Sequence, residues 1–250
     1  MPPGRAETDA FAAFNARAAA RGVRAGSGLP LRFVAPDGDP IGYEQRVFAR
    51  GEVVTRPGNA HDAHNAEVWL QFPQAKAALT RLPVEALAGA PAAGGRRGRV
   101  RDRLTQFDEC GVVVAGMPAA LWQALAAHRW REVFVAQRAQ LVATTRFVVF
   151  GHASREALAA PFLGLCGKAL WLDVPPAVRD DDARLDAALA GALVAAMRRP
   201  ATTGVSRWQP LPLLGIPGMT KENDDPAYYD DERQFRPART MPAGSPPGSR

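Results

Sequence analysis

Cysteine is scarce in this chain: Cys110 and Cys166 are its only two in 250 residues. So sparse a pair excludes a disulfide framework and makes a reducing compartment the expected setting. No apolar run approaches the roughly 18 residues needed to span a bilayer. The first residues, with Glu7 and Asp9 and no unbroken apolar stretch before Arg17, lack the basic-then-apolar layout of a signal peptide. A cytoplasmic protein without a membrane partner is expected. Neither G-x-x-x-x-G-K-[ST] nor G-x-G-x-x-G occurs, which argues against the common backbone cradles for phosphates. There is no G-x-S-x-G elbow, and Ser154 lies two residues from His152, about 100° per residue around a helix, which puts an activated pair out of reach. The cysteines also lack C-x-x-C spacing.

What is present is the composition of an ordinary globular protein, 47% hydrophobic and 22% charged, enough for a real core. The formal charge of +6 would point to nucleic acid if it sat on a folded face. Residues 1–29, 94–103 and 236–250 carry +2, +4 and +3, so the rest of the chain sums to −3. A slightly acidic body with basic ends predicts that any nucleic-acid affinity is weak, non-specific and salt-dependent.

Glycine breaks and short apolar runs predict a single α+β domain over 30–239, preceded by a weakly ordered arm (1–29) and followed by a disordered tail (240–250). YEQRVFARGEVVT (43–55) reads as one β-hairpin and RLTQFDECGVVVAG (103–116) as a second. Between them, Asn59 is expected to cap a helix ending at Pro73, where another begins and runs to about Leu82. The low-complexity stretch at about 88–99 reads as a mobile loop. Residues 118–141 have helical period, and further strands (145–150, 168–174) and helices (from His152, and 182–197) follow. Beyond Trp208 a proline-rich strap is expected.

Four constellations carry possible chemistry. His61, Asn65, Trp69 and Phe72 fall on one stripe of a helix, so a polar pair shares the inward face and needs partners, either as a core network or as a site. In FGHASRE, His152 and Glu156 are spaced i, i+4 directly after an apolar strand, a frequent place for site residues, though a capping role would also suit them. Asp108-Glu109 sits at the tip of the expected hairpin, where turn chemistry is the plainer reading. In YYDDERQFRPAR, aromatics surround Asp230, Asp231 and Arg236, as an aromatic strap or an acidic ligand set.

The blocks RPGNAHDAHNAEVWLQFPQAKAAL (56–79), LTQFDECGVVV (104–114), FVVFGHASREAL (147–158), PLPLLGIPGM (210–219) and YYDDERQFRPAR (228–239) together resemble the bacterial domain-of-unknown-function 3025 family. The resemblance spans roughly 43–239 and implies no activity, substrate or catalytic residue. His61, Asp62, Asn65, Asp108, Glu109, His152, Asp230 and Arg236 fall on its pattern. Ala60, His64 and Met219 depart from it, which makes His64 a poor candidate for a shared role.

The sequence points to a cytoplasmic protein of this family type without fixing an activity, and the enzyme reading that suits its residues best is a metal-assisted or general acid/base hydrolase. His61, Asn65, Asp108, Glu109, His152 and Glu156 are its candidate catalytic residues. His61, His152 and Glu156, or Asp108 as the carboxylate, are candidate ligands of a divalent metal. Two histidines and a carboxylate hold such an ion while leaving positions open for water. The alternative is a non-catalytic binding protein. A hydrolase requires these groups to converge in one pocket, and a binding protein leaves them apart.

Overall fold

The computed structural model describes residues 5–88, 95–198 and 208–238. The chain opens with helix α1 (Arg5–Ala20), strand β1 (Arg32–Val34), helix α2 (Tyr43–Arg50) and strand β2 (Glu52–Val54). Residues 17–25 of the expected arm pack on the body. Ala18, Val23 and Ala25 are buried with Phe33, Val47 and Trp69, while Arg17 holds Glu67 and Arg21 donates to the Leu70 carbonyl.

The expected hairpin at 43–55 is a helix followed by a strand. Gly51 is not a hairpin turn but the left-handed residue that ends α2, with φ of 70° and its N–H on the Val47 carbonyl. The buried guanidinium of Arg46 is held by Asp37 on two bonds of 2.6 Å and by Glu52. β2 pairs in parallel with β1, in the register Phe33 opposite Val53.

Helices α3 (Ala60–Gln71) and α4 (Pro73–Ala88) follow as expected, with the Asn59 side chain accepting from the Asp62 N–H at 2.9 Å. α4 extends past Leu82. The second expected hairpin is also corrected: α5 (Gly95–Cys110) continues through Asp108 and Glu109 and turns directly into strand β3 (Gly111–Ala115). Leu104 and Phe107, three residues apart, bury one face of that helix, which sets helical rather than strand geometry. Residues 95–99 of the expected mobile loop are therefore helical, and 89–94 lie outside the described residues.

Next come α6 (Ala119–Ala126), a π-helical turn at Glu132–Ala136, α7 (Arg138–Thr144), β4 (Arg146–Val149), α8 (His152–Ala157), β5 (Cys166–Leu172), α9 (Pro176–Arg179), α10 (Asp182–Arg198) and β6 (Gln209–Pro212). A four-stranded sheet runs β4-β3-β5-β6, with β3 antiparallel to β4 and parallel to β5. Every residue of β3 is buried, because both faces of the sheet are covered. Val112 and Val114 join a core with α6, the π turn and the C-terminal segment; Val113 and Ala115 join one with α4, α5 and α10. Asp186 of α10 accepts from the Gln74 and Ala75 amides at 2.8 Å each, capping α4 from a distant helix.

After β6 the strap runs through 3-10 turns, the last at Pro226–Asp230, and buries Tyr229 and, beyond them, Phe235. Asp230 pairs with Arg131 and Asp231 with Arg233, so these acids do not form a ligand set. The tail at 240–250 lies outside the described residues. The architecture is α+β, and among the described residues no helix is long and apolar enough to cross a membrane.

Candidate functional site

The antiparallel pairing of β3 and β4 puts the start of β3 beside the end of β4. There the Gly111 carbonyl accepts from both the Phe150 and Gly151 amides, at 2.9 and 2.8 Å. Two chain reversals meet at this point, α5 into β3 and β4 into α8. Gly151 is required by the approach: a Cβ there would lie 2.4 Å from the Glu109 carbonyl oxygen and 2.6 Å from Cys110 N and Cα. The consequence is that Glu109, at the last turn of α5, stands against His152, at the first residue of α8. α3 packs on α8 and brings His61, from its own first turn, to the same spot.

The three side chains converge on their outer atoms. His61 Nε2 and His152 Nε2 are 3.1 Å apart, and Glu109 Oε2 is 3.4 Å from His152 Nε2 and 3.8 Å from His61 Nε2. A triangle with these edges has one point about 2.0 Å from every corner, the length of a bond from zinc to nitrogen or oxygen. Among the described residues these three form a group able to hold a metal ion.

Glu156 takes a different position from that of a ligand. Its Oε2 lies 3.0 Å from His61 Nδ1, on the far side of the ring. A carboxylate only accepts, so His61 carries its proton on Nδ1 and turns the lone pair of Nε2 toward His152 and Glu109. This is the usual carboxylate support of a metal-binding histidine. The carboxylate facing the two Nε2 atoms is Glu109, not Glu156 or Asp108.

Burial sets the protonation of the two inner groups. Burial lowers His152 to about 4, with Lys76 and His61 adding to this and Asp108 opposing it, so the imidazole is neutral at pH 7. His152 Nδ1 is buried without a well-formed hydrogen bond among the described residues. Burial also raises Glu109, helped by the charges of Asp108 and Glu156 and opposed by His61 and Lys76. Glu109 and Asp108 sit at the C-terminal end of α5, where the helix dipole disfavours negative charge. A cation beside Glu109 would offset the cost of the carboxylate charge there.

Asp108 and Asn65 serve beneath the site. Lys76 is fully buried, with Nζ 2.5 Å from Asp108 Oδ1 and 2.7 Å from Asn65 Oδ1. Burial works against its charge, but Asp108 holds its pKa above the usual lysine value. Asn65 in turn donates from Nδ2 to the Tyr43 hydroxyl. Asp62, named by the family pattern, accepts from the Arg56 backbone and guanidinium and braces the α3 N-terminus. A cavity of about 300 Å³ opens over the group, lined by Tyr43, Arg56, Thr80 and Arg101 beside the site residues.

Residues 31–239 match the family described as Protein of unknown function (DUF3025), most of the chain. The chain belongs to this family. No curated protein and no solved structure matches the DUF3025 chain. Sequence reasoning brought His61, Glu109 and His152 into view but passed over Tyr43 and Lys76. Phe72, Lys76 and Leu79, at i, i+4 and i+7, carried a signal for the second: a lysine on an apolar helical stripe must be buried and paired.

Proposed function

We propose that this DUF3025 chain is a metal-dependent hydrolase whose divalent ion is held by His61, Glu109 and His152. The observation that carries the reading is the spacing of Nε2, Nε2 and Oε2, which leaves one point at bonding distance from all three. Two histidines and one carboxylate leave coordination positions open, and an ion so held supplies Lewis acidity and lowers the pKa of a water. Glu156 orients His61, and the Lys76–Asp108 pair fixes the end of α5 from which Glu109 projects. Glu109, His61 and Glu156 are partly exposed, so water and substrate reach the site. Both cysteines are free, which suits a reducing bacterial cytoplasm as the setting.

The test is metal analysis of protein purified without chelator, alongside His152→Ala and Glu109→Gln. A stoichiometric divalent ion in the wild type, lost in both variants while they remain folded, is expected. Hydrolysis of simple esters or phosphoesters should vanish on chelation and return with metal. Wild-type protein that takes up no metal, even when zinc or manganese is supplied, ends the reading.

A further inference from the structure

Tyr43 lines the same cavity as His61, Glu109 and His152. Its hydroxyl oxygen receives two hydrogen bonds whose directions are fixed. Trp69 Nε1–H, which can only donate, lies at 3.1 Å. Asn65 Nδ2 lies at 3.2 Å, and its amide orientation is set because Asn65 Oδ1 accepts from the Lys76 ammonium. Both lone pairs of the phenol are therefore engaged, and its own proton has no acceptor among the described residues.

A hydroxyl in that state has one capacity left, to donate. At the cavity mouth, Arg56 and Arg101 each use Nε and Nη2 on one carboxylate, Asp62 and Glu44. That leaves each Nη1 without a partner among the described residues. Guanidinium edges of this kind match the oxygens of phosphate and carboxylate groups.

We infer that Tyr43 is a substrate-binding residue that donates its hydroxyl proton to a negatively charged phosphate or carboxylate oxygen of a substrate seated at the metal centre. The inference rests on the metal reading above and adds the substrate class: small anions. The donor is preset by Trp69 and Asn65, so binding needs no reorientation of the phenol. The buried Lys76 is thereby linked to substrate through Asn65 and Tyr43, without touching it.

The test uses the full chain loaded with cobalt(II), whose visible spectrum reports the site, titrated separately with inorganic phosphate and with acetate. A saturable response to at least one anion is expected, and the arm that responds identifies the group. In Tyr43→Phe the affinity should fall about tenfold or more, the effect of losing a hydrogen bond to a charged group, with cobalt content unchanged. Equal affinity in the two proteins overturns the inference, as does a cobalt-loaded protein that answers neither anion. A chain that binds no cobalt overturns the metal reading and this inference with it.

The Tyr43→Phe substitution leaves the Trp69 and Asn65 donors without their acceptor, so a second measurement covers a variant that fails to fold. The chain has three tyrosines, and Tyr228 and Tyr229 pack on the opposite side of the sheet. Wild-type protein labelled with 3-fluorotyrosine should show the Tyr43 fluorine resonance shifting on addition of the anion. A resonance that stays put at saturating phosphate and acetate overturns the inference.

Discussion

The Lys76 ammonium and the Asp108 carboxylate form an ion pair at 2.5 Å in which the lysine side chain has no contact with solvent. Asn65 takes a second ammonium proton, and the Trp69 ring lies 5.6 Å away. Burial of two charges is repaid by their attraction only while both are present. Asp108→Asn is expected to destabilise the protein by about 3 kcal/mol, because it strands the lysine charge. Lys76→Met combined with Asp108→Asn should recover a large part of that loss. Urea unfolding of the three variants measures this, and a double variant no more stable than Asp108→Asn would show the pair to be incidental.

Gly151 holds the two chain reversals together, and alanine there meets backbone, which cannot step aside as a flexible side chain would. Gly151→Ala should cost about 2 kcal/mol or more by overpacking. It should also push Glu109 from His152 and so weaken metal uptake more than a surface substitution of equal destabilisation. Metal content compared with melting temperature, against Ala187→Gly on the exposed face of α10, which costs about 1 kcal/mol of helix stability away from the site, separates the two effects.

The metal-free protein should lose stability as acid is added. His152 is held near 4 in the fold, against 6.5 for an ordinary histidine, so between those values the unfolded chain binds more protons. This contribution is complete above about pH 6.5 and is lost as pH falls toward 4, amounting to about 2 kcal/mol by pH 5. His152→Gln, with no such proton to bind, should show a shallower decline over that range. Denaturant midpoints at pH 7 and pH 5 for chelator-treated proteins provide the comparison, and parallel declines would count against a neutral buried imidazole.

Local chemistry was enough to read several elements from the sequence. Asn59 is a cap because its side chain reaches an amide three residues on, and β4 is a strand because its apolar run ends at Gly151. His152 and Glu156 share a helical face by spacing alone. At both expected hairpins the chain forms a helix and then a strand, for a physical reason. α2 is short and buries an arginine, which only Asp37 and Glu52 make tolerable. α5 begins in a glycine- and arginine-rich stretch whose composition disguises the helix that Leu104 and Phe107 anchor.

The sequence by itself determined which side chains are present near each chain reversal: His61 behind a cap, Asp108 and Glu109 before an apolar strand, His152 after another. Only the tertiary structure decided which of the carboxylates faces the histidines. His61 and Glu156 stand 95 residues apart, and no periodicity relates them. The choice follows from long-range contacts: the pairing of β3 with β4, the backbone approach at Gly151, and the packing of α3 on α8. Together they point Glu109 inward, turn Glu156 to the outer nitrogen of His61 and commit Asp108 to Lys76.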